Sequence, residues 1–388
     1  MSQLILPDSR GRLAPYTPGA PLSYDATPRG DRSRIAYAAA HVVADPLADN
    51  DPWLSTAVDW ERTIEYRRHL WRHGFGVAEA MDTAQRGMGL DWPTSLELIE
   101  RSLAAARDFP GAVMASGCGT DHVAPEDCHS IDDVIQAYET QMAAIEKLGS
   151  RLILMASRAL AARARSPDDY VRVYNHILGQ AREPVILHWL GDMFDPALQG
   201  YWGHDDPDAA MDVCLGIIND NAAKVDGIKI SLLSAEKEIA MRRRLPASIK
   251  MYTGDDFNYP ELIAGDDEGF SHALLGIFDA IAPAASAALN ALDAGDNTAY
   301  QDIFAPTVPL ARHIFKAPTR FYKTGVVFMA YLNGHQDHFT MVAGQESTRS
   351  TLHLAELFRL ADQAGLLQSP DMAVQRMQQV MAVRGVAQ

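Results

Sequence analysis

Lys229 lies in the run VDGIKIS, where alternation sets Ile228 and Ile230 on one face and Val225, Gly227, Lys229 and Ser231 on the other. If the run is a strand of a closed barrel, the second face points inward. A lysine held inside is costly in its charged form: moving its pKa from about 10.4 to about 7–8 removes about 4 kcal/mol of charged-state stability. The same shift frees the amine to attack a carbonyl carbon. A lysine paired with a neighbouring carboxylate in a barrel core would read identically, and the pattern leaves the two readings level.

Other reactive side chains cluster near the ends of short apolar runs. His188 is in EPVILHWL, Glu79 precedes Asp82, Thr83 and Arg86 in EAMDTAQR, and Asp121 and His122 follow in GCGTDHVAP. Asp255 and Asp256 stand in YTGDDFNY, with one expected to face a pocket and the other to cap a helix. Ser271 and His272 are in EGFSHAL. Glu79, Asp121, His122 and His188 would suit Mg²⁺, Mn²⁺ or Zn²⁺ in a metal-dependent sugar isomerase, epimerase or hydrolase. Alternation counts against this, since Glu79 and Asp82 fall on opposite faces of one strand. Asp82 could equally cap the following helix, and a lone His188 could be a core residue bonded to a carbonyl. Trp189, Tyr201 and Trp202 are either a stacking wall for a sugar ring or loop packing. His335 and His338, in NGHQDHF, read as a solvated loop.

The elements that would position these residues are eight apolar runs separated by helix-period stretches: 35–44, 75–81, 111–117, 151–157, 183–190, 226–231, 248–254 and 268–274. Eight βα units in series close most economically into a (β/α)8 TIM barrel, a fold of about 250 residues whose chemistry sits at the carboxyl ends of its strands. We expect the barrel over 34–284, an N-terminal arm over 1–33 and a C-terminal helical bundle over 285–388. Ser130, Asp132 and Asp133 open one helix and Gly149 closes it.

A net charge of −16 argues against a nucleic-acid partner. No apolar run approaches the ~18 residues of a membrane span. Cys118, Cys128 and Cys214 show neither CxxC nor zinc spacing and read as free thiols. The start, MSQLILPDSRGR, is too short in apolar residues for a signal peptide, so the cytoplasm is the expected compartment.

The stretch from GIKIS through YTGDDFNYPELIAGDDEGFSHALLGIFDAIAPAASAALNALDAGDNTAY resembles the dihydrodipicolinate synthase/N-acetylneuraminate lyase family. PVILHWLG and FYKTGVVFMAYLNG resemble that family's preceding strand and closing helix. The resemblance spans roughly residues 35 to 365. It implies that Lys229 forms an imine, that His188 stands where the family's strand-five tyrosine moves protons, and that the protein is a homodimer or homotetramer. Where the family has GTTGE, this chain has AMDTAQRG, keeping Thr83 but placing Asp82 near a substrate carboxylate. At ~4 Å two like charges repel by about 4 kcal/mol at an effective dielectric of about 20. A keto-sugar donating hydroxyls to Asp82 therefore fits better than pyruvate, unless Arg86 compensates.

The expectation is a Schiff-base aldolase or lyase acting on a small carbonyl compound, with Lys229, His188 and Thr83 catalytic. Asp82, Arg86, Trp189, Asp255, Asp256 and Ser271 would bind substrate. The covalent lysine imine needs no cofactor; a divalent metal belongs only to the alternative. A barrel that binds a ligand without catalysis is the third reading.

Overall fold

Each of the eight apolar runs becomes a strand, trimmed to the residues whose alternating side chains fill a barrel. They are β1 (Ala36–Ala39), β2 (Gly76–Glu79), β3 (Met114–Cys118), β4 (Arg151–Leu154), β5 (Val185–Leu190), β6 (Val225–Ser231), β7 (Lys250–Thr253) and β8 (His272–Leu275). In the computed structural model, which describes residues 2–30 and 32–388, these strands pair in parallel, and β8 closes onto β1. Met1 and Asp31, both in the segment read as an arm, lie outside the described residues. The fold is the expected (β/α)8 barrel with helices surrounding it and continuing past the last strand.

Tyr37, Ile153, Ile186, Tyr252 and Leu274 pack the barrel interior, while Val77, Leu152, Leu187, Ile228 and Ile230 face the helical layer. This is the two-residue period expected of VDGIKIS. At the amino end of the barrel Lys250 ion-pairs with Asp226 at 2.7 Å, and Tyr252 donates to the same carboxylate at 2.7 Å. The base is closed by a satisfied polar plug.

The connecting helices are capped as their sequences dictate. In the helix Ile131–Leu148, Ser130 accepts from the Asp133 N–H, Asp133 reaches back to the Ser130 N–H, and Gly149 takes the left-handed conformation at φ 83°.

Two elements differ from expectation. Leu4–Pro7 and Leu13–Tyr16, for which no strand was expected, form an antiparallel hairpin within the segment read as an arm. Leu4 and Leu6 are buried, Tyr16 donates to Asp362, and Arg359 donates to the Pro7 carbonyl, so the hairpin lies on the C-terminal helices. The second difference is β8. Its first predicted residues instead make a tight turn, with Gly265 at φ 85°, Gly269 at φ 152° and an Asp266 N–H bonded to the Gly269 carbonyl. The strand therefore starts at His272 and its carboxyl end lies at Leu275–Gly276.

The helix Tyr322–Leu332 is buried at all of its positions and brings its first residues to the carboxyl end of the barrel. No helix among the described residues is long and apolar enough to cross a membrane. All three cysteines are free and buried.

Candidate active site

Lys229 and His188 are register partners on β6 and β5, both on the inward face. Lys229 keeps 7% of its surface exposed. Among the described residues it makes no hydrogen bond and no ion pair within 4.0 Å. Gly254, just beyond β7, makes its position possible: a Cβ there would come within 2.3 Å of the Ser231 Oγ and 2.7 Å of the Lys229 Cε. Burial pulls the Lys229 amine below the usual lysine range, and Asp256 and Asp82 hold it partly up. His188 sits 3.4 Å from the Ser231 Oγ through Nε2, with no partner for Nδ1. Burial, and then the adjacent Lys229, drive its pKa well below the normal imidazole value, so the ring is neutral.

The two aspartates after β7 take different partners, and neither caps the next helix, Tyr259–Ala264, whose N-cap is Asn258. Asp255 accepts from the Phe257 and Asn258 N–H groups and from the Asn258 side chain, and so shapes the turn. Asp256 accepts from the Ile277 N–H at 2.8 Å, just beyond β8, and senses Lys229. Burial raises its pKa to about 7, despite the lowering by the Ile277 N–H and the amine.

Beyond β2 the chain turns through Asp82–Ala84, with left-handed backbone at Ala80 (φ 51°) and Gln85 (φ 65°) on either side. Such conformations cost about 1 kcal/mol or more per non-glycine residue and persist where surrounding structure fixes them. Here the Gln85 amide donates to the Val342 carbonyl at 2.8 Å. The cap of the next helix, Trp92–Arg107, is Asp91, whose side chain accepts from the Thr94 N–H; Asp82 is not the cap. Its half-buried carboxylate lines a cavity of about 320 Å³. Thr83 hydrogen-bonds the Tyr322 hydroxyl at 2.8 Å.

Residues that the sequence reading did not select complete the site. Lys323 is buried and, among the described residues, donates to the Arg320 carbonyl (3.0 Å) and the Met88 thioether (3.3 Å) alone. Burial lowers its pKa to about 8 against the pull of Asp82 and Asp195. Asp82 thus stands in the field of two buried amines. A lysine inside the apolar run VVFMAYL's own helix, YKTGVVFMAYL, is the signal that could have found it. Arg158, following β4, lines the cavity with its Nε paired to Asp195 at 2.5 Å.

Several expected site residues lie elsewhere. Ser271 is at the amino end of β8 and donates to Glu238 at 2.7 Å, so it does not bind substrate at the barrel mouth. His272 shares that end, accepting from the Ile35 N–H. Trp189 alternates outward from His188 and packs edge-on against Trp202, with ring centroids 6.1 Å apart. Tyr201 and Trp202 are buried beside Tyr170 and Tyr174, so these aromatics are packing and form no stacking wall. Arg86 lines the cavity, but all five of its N–H donors are engaged by Asp121, the Ala80 and Gly117 carbonyls, and Gln141. It is paired with Asp121, so it is not Arg86 that offsets the charge of Asp82. His335 packs on His69 and Tyr66 instead of forming a solvated loop, while His338 accepts from the Thr340 N–H.

The metal-ligand set also separates. Glu79 points outward into a two-pronged pair with Arg67, both side chains fully buried. Asp121 is held by Arg86, and His122 bonds Gln141 through Nδ1. Among the described residues no three His, Cys, Asp or Glu side chains converge as a metal site.

A family described as "protein of unknown function" matches residues 4–386. No curated protein matches the chain. The fold is similar to dihydrodipicolinate synthase from Aquifex aeolicus (TM-score 0.65, 11% identity, covering 87% of this chain and 99% of that one). It is also similar to 4-hydroxy-tetrahydrodipicolinate synthase from Methylacidiphilum fumariolicum SolV (0.64, 14%, 89% and 99%). The synthase from Cyanidioschyzon merolae with lysine bound gives 0.64, 15%, 87% and 100%. The fold agrees with the family resemblance carried by GIKIS and the segments after it.

Proposed function

Because the chain belongs to the DUF993 family and its barrel carries a buried amine with no ion-pair partner, we propose that it is a lyase of the Schiff-base aldolase type. Fold similarity to the synthases supports the class. The observation that carries the reading is the contrast between two lysines facing the same barrel. Lys250 is ion-paired with Asp226, whereas Lys229 is buried without a partner and has a lowered pKa. Structure alone rarely retains such a group, because an unpaired buried charge is destabilising.

In this reading the neutral Lys229 amine bonds to a ketone carbon, and the carbonyl oxygen leaves as water. The protonated imine then accepts the electron pair of the breaking carbon–carbon bond or, in a dehydration, of the carbon–hydrogen bond next to the imine carbon, after which the neighbouring hydroxyl takes a proton and leaves as water. Asp256, with a pKa raised to about 7, is suited to give and take the protons of carbinolamine formation and hydrolysis. His188, neutral and poor at holding a proton, orients the substrate and accepts hydrogen bonds. The Thr83–Tyr322 hydroxyl pair carries a proton to or from the substrate. Asp82 accepts from substrate hydroxyls, which favours a hydroxylated ketone over pyruvate.

The test is reductive trapping. Incubation with a panel of ketoses and 2-keto acids and borohydride should leave a mass adduct on the Lys229 peptide. The Lys229→Ala variant should give neither adduct nor turnover. A folded wild-type protein that turns over substrate yet never yields the adduct would remove the proposal.

A further inference from the structure

Arg158 is held from one side only. Its Nε is fixed by Asp195 at 2.5 Å, and neither Nη atom has a hydrogen-bond acceptor among the described residues. The guanidinium crosses the cavity mouth to the loop after β2: a Cβ on Gly87 would stand 3.3 Å from Nη1 and 3.4 Å from Nη2. Gly87 takes φ 71°, a conformation that glycine adopts freely, and its lack of a side chain leaves room for the fork. Arg158, Asp195 and Gly87 all line the 320 Å³ cavity.

Arg86 on the same wall makes the contrast. Both arginines are ion-paired, Arg86 with Asp121 and Arg158 with Asp195, but the donors of Arg86 are all taken. Arg158 is therefore the cavity's arginine with unused donors in a geometry that fits a carboxylate or phosphate. Arg158 lines this cavity together with His188 and Asp82, whereas Lys229 is not among its lining residues and stands beside His188 as its register partner. Asp82 opposes an anion next to the reacting carbonyl.

We propose that Arg158 is the receptor for a terminal anionic group on the substrate, so that the compound is a hydroxylated ketone with its phosphate or carboxylate remote from the carbonyl. The placement of the carbonyl rests on the aldolase reading; the anion site does not need turnover. Asp195 is a positioning residue, fixing the Nε edge so that the Nη edge faces the cavity.

The test titrates inorganic phosphate and, separately, acetate into the full chain by calorimetry. The proteins compared are wild type, Arg158→Gln, Arg158→Lys, Lys229→Ala and the remote surface variant Arg172→Gln. Binding should weaken about 10- to 100-fold in Arg158→Gln, the scale of a lost charge-assisted pair. It should weaken less in Arg158→Lys and stay unchanged in Lys229→Ala and Arg172→Gln. Tighter phosphate binding would assign a phosphoryl terminus, and tighter acetate binding a carboxylate; either supports the site. No binding to wild type, or equal binding to wild type and Arg158→Gln, overturns it. Retained anion binding with no adduct on Lys229 would leave this inference standing and remove the imine chemistry alone.

Discussion

His188 and Lys229 face each other across the β5–β6 pairing as register partners, an imidazole held in its neutral form beside an amine with a weakened hold on its proton. Burial discourages charge on both, and Lys229 discourages it further on His188. Burial, opposed by Asp256 and Asp82, sets the pH behaviour of the amine.

Trapping should show this directly. Only neutral amine bonds to a carbonyl, so the rate of borohydride-trapped adduct should rise with pH and level off below the ordinary lysine value of 10.5. A rate still climbing about tenfold per unit through about pH 10 would mean an unperturbed amine.

Asp256→Asn separates two roles of one carboxylate. Losing its negative charge should lower the Lys229 pKa further, shifting the trapping profile about one unit toward acid. Turnover should nevertheless fall about 10²- to 10⁴-fold, because the proton carrier is gone. If trapping and turnover fall together with no shift in profile, Asp256 is only holding the Ile277 N–H.

The barrel was legible because strands buried on both faces read as short apolar runs, as in VDGIKIS and PVILHWL, set apart by helix-period stretches. Parity gave the inward position of Lys229, while its expected imine role came from the family resemblance. What failed were strand ends: the turn at Gly265–Gly269 moved the start of β8 from 268 to His272, which puts Ser271 and His272 at the amino end of the barrel. Trp189 was misplaced for a related reason, since its neighbour His188 already held the inward position. Tyr322 and Lys323 lie about 240 and 90 residues along the chain from Thr83 and Lys229, and only tertiary packing brings that helix to the mouth. The outward ion pairing of Glu79 with Arg67 needed the neighbouring helix to be visible.

Tyr322→Phe tests the contribution of that distant helix. Removing the hydroxyl leaves Thr83 without its 2.8 Å partner but keeps the ring stacked on Phe315. We expect kcat to fall about 10²-fold with KM little changed and trapping at Lys229 retained, since amine attack precedes the proton transfer. An unchanged kcat would confine the hydroxyl pair to packing.

Glu238 offers a test of stability away from the mouth. Its carboxylate, on the helix Ala235–Arg242, accepts from Ser271 at 2.7 Å and Thr253 at 2.9 Å. Burial raises its pKa to about 8, with Ser271 and Thr253 opposing the rise. A carboxyl whose folded pKa exceeds its unfolded value, about 4.3, binds more protons in the native state over that interval. Its contribution is therefore fully present below about pH 4 and is lost as pH rises through about 8. Glu238→Gln, which holds a neutral group at every pH, should remove this slope. Compared with wild type, the variant should gain roughly 2–4 kcal/mol between about pH 5 and about pH 9 in denaturant unfolding. Parallel stability curves for the two proteins would mean that Glu238 is charged in the fold throughout, with Ser271 and Thr253 stabilising the carboxylate against burial.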